Sequence, residues 1–61
     1  MFNYYRFIGS KYSAVQQNIE EQAAADKLTI HLISNFGEGQ NDSNRITVIV
    51  KHDVIIDIYR G

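Results

Sequence analysis

The 61-residue sequence contains no cysteine and no tryptophan, and it has only two histidines. Without cysteine the chain forms neither a disulfide nor a thiolate metal site. Two histidines are too few for a structural zinc site unless carboxylates complete it. A chain of this size buries only about 60% of the surface that its unfolded form exposes, so its stability alone is marginal. Oligomerisation, or binding to a larger partner, is therefore the expected source of further stability.

A dominant charge of one sign and a long apolar run are also missing. Seven acidic and six basic residues give a net charge of −1, and the basic residues are scattered along the chain. This distribution argues against an electrostatic grip on nucleic acid or on an anionic membrane. No apolar run approaches the roughly 18 residues of a membrane-spanning helix, and the N-terminus lacks the pattern of a secretory signal. We therefore expect a cytoplasmic protein whose partner is another protein, either itself or a larger target.

Residues 13–26 have the pattern of an amphipathic helix. Ser13 and Gln16 fit the S-x-x-Q capping box at its start. One narrow apolar stripe follows the helical spacing and consists of Tyr12, Val15, Ile19 and Ala23. A helix with so narrow a stripe is expected to cover one face of a sheet and no more.

Strand patterns occupy most of the remaining chain. The aromatic segment 2–8, the alternating segment 28–33 and the β-branched segment 45–50 are each predicted to be strands, and residues 35–44 form a polar loop between the last two. The predicted fold is one α+β domain spanning residues 1–61. Its four-stranded sheet, antiparallel or mixed, has the order β-α-β-β-β, and the helix packs on one face.

The C-terminal stretch VIVKHDVIIDIYRG keeps one apolar phase across its polar break. A hairpin with a three-residue turn at 51–53 would pair apolar residues on one face, since register follows the hydrophobic pattern. The expected pairs are Val50 with Val54, Val48 with Ile56, and Ile46 with Ile58. One continuous bent strand fits equally well, but strands average only about 5–6 residues, which favours the hairpin. In that turn Asp53 would be left-handed, so Asp53→Gly is expected to be neutral or stabilising.

The sheet face opposite the helix would carry apolar side chains that the lone helix does not reach. Its expected centre is Ile49 and Ile55, with aromatic and aliphatic neighbours and a polar rim. The predicted protein-interface residues are Tyr5, Phe7, Ile33, Arg45, Thr47, Ile49, Ile55, Asp57 and Tyr59. An uncovered apolar face of this kind usually marks an interface. The alternative is that loop 35–44 folds over part of it.

No motif for catalysis, a cofactor or a metal stands out. The stretch GEGQND at 37–42 lacks the third glycine of a dinucleotide fingerprint and precedes a strand instead of a helix. His52 and Asp53 are adjacent, and neighbours on a strand point to opposite faces. His31 and His52 form a metal or pH-sensing pair only if the sheet brings them together. We therefore predict no catalytic, cofactor-binding or metal-binding residues.

The order strand, Gly-Ser, helix, strand, polar loop, strand resembles that of the dodecins, small flavin-storing oligomers. The tryptophan that dodecins stack on flavin has no counterpart here, so the resemblance predicts neither flavin nor a ligand-binding residue. The leading hypothesis is a non-catalytic protein-interaction module. It would be a homo-oligomer, or an inhibitor or accessory protein of the kind that phages and mobile elements often encode. The alternatives are a single-stranded nucleic-acid binder that stacks bases on segment 2–8, and a small-ligand carrier.

Overall fold

In the computed structural model, which describes residues 3–34 and 44–61, one helix packs on a three-stranded mixed sheet. The elements are a 3₁₀ turn at Tyr5–Phe7, helix α1 at Tyr12–Ala25, and strands β1 at Thr29–Ile33, β2 at Arg45–Lys51 and β3 at Val54–Arg60. β2 is the central strand, parallel to β1 and antiparallel to β3. The α+β class is therefore confirmed. No helix in the described ranges is long and apolar enough to cross a membrane.

The aromatic segment near the start of the chain is not a strand, which corrects the predicted four-stranded order. A 3₁₀ turn repeats every three residues, so it places Tyr4 and Phe7 on one side, where both are buried in the core. A strand would instead have put Tyr5 and Phe7 on a common face. After the turn, Gly9 takes a positive φ of 92°, which favours glycine. The chain then joins the edge of β3 through a short bridge between Lys11 and Val54.

Helix α1 supplies one wall of the core, as its stripe predicts. Ile19 and Ala23 are buried, and Tyr12 and Val15 are partly buried against the same cluster. The buried cluster consists of Tyr4, Phe7, Ile19, Ala23, Ile46, Val48, Ile55 and Ile58. The capping-box prediction is wrong, because α1 begins at Tyr12 and its N-cap, Lys11, makes no side-chain capping bond.

Strands β2 and β3 form a hairpin that a two-residue turn closes. His52 and Asp53 both have positive φ, 53° and 65°, as the type I′ turn requires. Lys51 pairs with Val54 and Val50 with Ile55. The hairpin itself is thus confirmed, whereas the three-residue turn and its register are wrong.

A β-bulge reconciles this turn with the apolar pattern of the strands. The register shifts between Ile49 and Val50, so that Ile49 pairs with Asp57, Val48 pairs with Ile58, and Ile56 is the additional residue. Without the shift, Val48 would lie opposite Asp57. The bulge therefore keeps an aliphatic pair in the core, and it leaves Ile56 41% exposed while Ile55 is buried.

Candidate binding surface

Two residues that we predicted on the uncovered sheet face lie in the core instead. Phe7 is buried there because its segment forms a 3₁₀ turn, and Ile55 is buried because the two-residue turn places it opposite Val50, on the core side of the sheet. The assignment of both side chains to the outer face is therefore wrong. Phe7 is only 5% exposed, and Ile55 is fully buried.

The outer face of the sheet holds the other predicted aliphatic residues, but it is less open than expected. Ile49 lies between its pairing partners Ile33 and Asp57, and it is fully buried although it does not belong to the cluster beneath α1. Ile33 and Asp57 are half-buried. Since β2 is the central strand, Ile49 has neighbours on both sides, which explains part of its burial.

The predicted polar rim is occupied by contacts within the chain. The Thr47 hydroxyl donates to the main-chain oxygen of Gly61 at 2.5 Å, and Arg45 Nε donates to the same oxygen at 3.2 Å. The Gly61 N–H in turn donates to the main-chain oxygen of Arg45 at 2.8 Å. Arg45 and Thr47 therefore hold the chain after β3 against β2.

Three apolar side chains, which we name the apolar patch, are exposed on the N-terminal segment and at the β3 bulge to which this segment is hydrogen-bonded. The patch consists of Tyr5, Ile8 and Ile56, which are 59%, 40% and 41% exposed. Tyr5 and Ile8 are three residues apart, the spacing that aligns side chains along a 3₁₀ turn. Ile8 precedes Gly9, whose N–H donates to the main-chain oxygen of Ile55 at 2.7 Å, so Ile8 and Ile56 flank the same hydrogen bond. Our sequence reasoning identified only Tyr5.

A cleft of about 640 Å³ opens beside this patch. Gly9 and Ser10 are hydrogen-bonded to Ile55 of β3, and Tyr12 to Asp53 in the turn that precedes it, while the 3₁₀ turn also contacts β3. The residues that line the cleft are Asn3, Tyr4, Tyr5, Asp26, Leu28, Tyr59 and Arg60. Tyr5 thus belongs to both the patch and the cleft, and the half-buried Tyr59 is another residue of the lining.

A hydrogen bond between Tyr4 and Asp26 organises the polar part of the cleft. The Tyr4 hydroxyl donates to Asp26 Oδ2 at 2.5 Å. Burial raises the pKa of Tyr4 to about 12, and the bond to the carboxylate adds to this rise. Tyr4 therefore remains a protonated donor at neutral pH. Asp26 follows the last residue of α1, so this bond fixes a carboxylate at the end of the helix.

The two histidines do not come together. His31 pairs with Thr47, and His52 lies five positions after Thr47, just beyond the end of β2, a distance of roughly 16 Å along a strand. The carboxylate of Asp53 accepts from Ser13 N at 3.1 Å and from Ser13 Oγ at 2.6 Å, so Ser13 is its partner. Within residues 3–34 and 44–61, no three histidine or acidic side chains gather into a metal-binding group. The stretch GEGQND lies outside the described residues.

The likeness to dodecins depended on an initial strand, and a 3₁₀ turn takes that position. No protein-family model matches the chain, and neither a curated protein nor a solved structure is significantly similar to it. Its function is therefore inferred from its own residues.

Proposed function

We propose that this chain is a non-catalytic interaction module that binds another protein through the apolar patch of Tyr5, Ile8 and Ile56. The observation that carries the proposal is the exposure of these three apolar side chains, between 40% and 59%, in a domain with few apolar residues to spare. Full burial of an isoleucine stabilises by about 1.5–3 kcal/mol, so covering the exposed part of each is worth roughly 1 kcal/mol. A contact centred on aromatic and aliphatic side chains is typical of protein interfaces.

The surroundings of the patch suit a partner that supplies acidic groups. Arg6 and Lys11 are exposed on the same N-terminal segment as the patch. Arg6 is partly fixed, since it donates to Gln22 Oε1 at 2.6 Å and its guanidinium lies 4.8 Å from the centre of the Phe7 ring. Charges at the rim of an interface steer encounter and set specificity more than they add affinity.

A foreign protein is favoured over a second copy by the surface area of the chain. Folded monomers of 7.0 kDa expose on the order of 4,000 Å², and this chain exposes 4141 Å². The exposed area is thus that of an ordinary monomer. A subunit that is compact only in an oligomer would expose a larger area. The bulge at Ile56 also disfavours strand addition along β3, because bulges twist an edge away from pairing.

The alternative function, binding of single-stranded nucleic acid, depends on the aromatic segment 2–8. Stacking along a row of aromatics requires exposed rings, yet Tyr4 and Phe7 are buried and Tyr5 alone among the described aromatics of this segment is exposed. Residues 3–8, the described part of this segment, therefore offer one exposed ring where the sequence suggested several.

The experiment compares affinity capture by the wild type, by the double variant Ile8→Lys/Ile56→Lys and by Leu32→Lys. Leu32 is a matched control, since it is 50% exposed but lies on β1, across the sheet from β3. We expect the wild type and the control to retain the same partner and the double variant to lose it. Circular dichroism verifies that all three chains are folded, and sedimentation measures their mass.

Three outcomes would contradict the proposal. If the wild type is a monomer and captures no protein, the patch has no partner. Equal loss of the partner in Leu32→Lys means that the patch is not the interface. If the wild type is a dimer and Ile8→Lys/Ile56→Lys is a monomer, the patch binds a second copy of the chain.

A further inference from the structure

The two edges of the sheet differ in what covers them. At the β3 edge, two backbone hydrogen bonds join residues 9–10 to Ile55. At the β1 edge, no backbone hydrogen bond joins Ile30 or Leu32 to any residue within 3–34 and 44–61. We propose that β1 pairs in antiparallel orientation with β1 of a second copy of this chain, about a two-fold axis at His31.

A hydrogen bond at the start of β1 determines which of its backbone groups point outward. The Thr29 N–H donates to the main-chain oxygen of Asn44 at 2.9 Å, so the backbone of Thr29 faces β2. Along a strand in a parallel ladder, the backbone groups of successive residues point to opposite sides. The N–H and C=O groups of Ile30 and Leu32 therefore point away from the sheet. An extended chain is the partner that matches such a row of donors and acceptors.

The outward groups of β1 are complementary to those of an antiparallel copy. An axis at His31, the middle residue of the strand, pairs all of Thr29–Ile33 with the same residues of the copy. Ile30 of one chain then lies opposite Leu32 of the other. Because both have outward backbone groups, each such pair exchanges two hydrogen bonds, as the antiparallel ladder requires.

The side chains of β1 also favour pairing over a free edge. Edge strands that stay unpaired are commonly protected by lysine, proline or a β-bulge. The sequence of β1, TIHLI, contains neither of these residues, and its register with β2 is regular. Leu32 is 50% exposed, and in the dimer it would contact Ile30 of the copy, an aliphatic cross-strand pair of the kind that stabilises sheets. Since Ile30 packs against the core cluster, this contact would extend the apolar core across the axis.

The pairing closes at two copies. It uses the same strand of each chain, so the interface is symmetric and leaves no second β1 edge open. The other edge of the described sheet is held by residues 9–10 and interrupted by the bulge in β3. Each subunit keeps its own core in such a dimer, which agrees with an exposed area of 4141 Å², that of an ordinary monomer.

Crosslinking through a single thiol tests the proposed axis, because the chain has no cysteine of its own. At the axis, the Cα atoms of a non-hydrogen-bonded pair lie about 4.5 Å apart, which is within the range of a disulfide. We therefore expect His31→Cys to form a linked dimer under mild oxidation. The matched control is Thr29→Cys, on the same face of the same strand, whose two thiols would be separated by roughly 13 Å along the strand. Thr29→Cys should crosslink only when it is mixed with Ile33→Cys, its partner in the proposed register.

Sedimentation of the chain without an introduced thiol is the second measurement. We expect a concentration-dependent mass that approaches twice 7.0 kDa. Leu32→Lys should weaken the dimer by about tenfold or more, because the axis removes the aliphatic pair twice and adds a charge to each edge. This variant should still retain the partner of the apolar patch, and Ile8→Lys/Ile56→Lys should still dimerise. Each of the two proposals can therefore fail without the other.

Three results would overturn the dimer. These are a wild type that is a monomer at every concentration, equal crosslinking of His31→Cys and Thr29→Cys, and a dimer that Leu32→Lys leaves unchanged. If the wild type is a monomer but binds an extended peptide that Leu32→Lys no longer binds, the edge takes a foreign strand and the second copy is excluded.

Discussion

Replacing Asp53 by glycine separates two effects that act in opposite directions. The positive φ of Asp53, 65°, is a conformation that glycine adopts more easily. Its carboxylate, however, accepts two hydrogen bonds from Ser13 in the first turn of α1. Because the N-cap residue Lys11 makes no side-chain capping bond, Asp53 caps the helix from the hairpin turn. We therefore expect Asp53→Gly to destabilise the protein, contrary to the expectation from the sequence.

Two single substitutions give the size of each effect. His52 has a similar φ of 53°, and no described residue bonds to its side chain, so His52→Gly changes the backbone preference alone. Replacing a left-handed residue by glycine removes a conformational strain of about 1–2 kcal/mol. Glycine loses more conformational entropy on folding, which costs about 0.5–1 kcal/mol. The net gain in stability is therefore roughly 0.5–1 kcal/mol. Ser13→Ala removes the hydroxyl bond and should cost about 1 kcal/mol, the usual effect of losing a helix cap.

Thermal unfolding of the wild type, the three single variants and the double variant Ser13→Ala/Asp53→Gly distinguishes these effects. In a domain of this size, 1 kcal/mol shifts Tm by about 4–8 °C. We expect His52→Gly to melt above the wild type, and Ser13→Ala and Asp53→Gly to melt below it. In the Ser13→Ala background, Asp53→Gly should lower Tm by less, because one of its bonds is already absent. If Asp53→Gly is as stable as His52→Gly, the contact with Ser13 contributes nothing and the reasoning is refuted.

Three further predictions concern the hydrogen bonds of Asp53, the hydrogen bond of Tyr4 and the β-bulge. The hydrogen bonds from Ser13 lower the pKa of Asp53 below its ordinary value of 3.8. Their contribution to stability is therefore present above pH 3.8 and disappears as the pH falls through the lowered pKa. The difference in Tm between the wild type and Asp53→Asn should shrink in that pH window, and a constant difference would contradict the prediction. Tyr4→Phe should cost about 1 kcal/mol. Because the pKa of Tyr4 is raised from 10.0 to about 12, the wild type should also lose stability as the pH rises from 10 to 12. Denaturant unfolding should find a smaller loss in Tyr4→Phe, where Tyr12, whose pKa is also raised by burial, still contributes, and an equal loss would contradict this role of Tyr4. Ile55→Ala should cost about 2–4 kcal/mol and Ile56→Ala less than about 1 kcal/mol, and the reverse order would place the bulge elsewhere.

Periodicity was sufficient to predict the elements whose apolar residues are regularly spaced. The stripe of α1 indicates a single buried face, and the structure agrees. The alternation in β1 predicts the strand, but none of its residues is buried, and Leu32 of the predicted inner face is 50% exposed. In contrast, Val54, Ile55 and Ile56 form an unbroken aliphatic run at the start of β3. Such a run contains no alternation, so the sequence does not show which member points inward, and a bulge of one residue inverts the answer.

The first segment and the cleft were beyond local pattern reasoning for a different reason. Aromatic composition favours a strand for residues 2–8, but the core beneath α1 is completed by Tyr4 and Phe7, whose spacing of three suits a 3₁₀ turn. Tertiary packing thus overrides local preference. The lining of the cleft comes from three separated segments, 3–5, 26–28 and 59–60, which only the folded chain brings together.

The most direct measurement of the proposed interaction surface is NMR of isoleucine methyl groups in the presence of a soluble paramagnetic probe. In a dilute sample of the chain alone, we predict strong broadening for Ile8 and Ile56 and little for Ile49 and Ile55. With a bound partner, the broadening of Ile8 and Ile56 should disappear. Strong broadening of Ile49 and Ile55, with Ile8 and Ile56 protected in the free chain, would contradict the proposed surface and restore the sheet face inferred from the sequence.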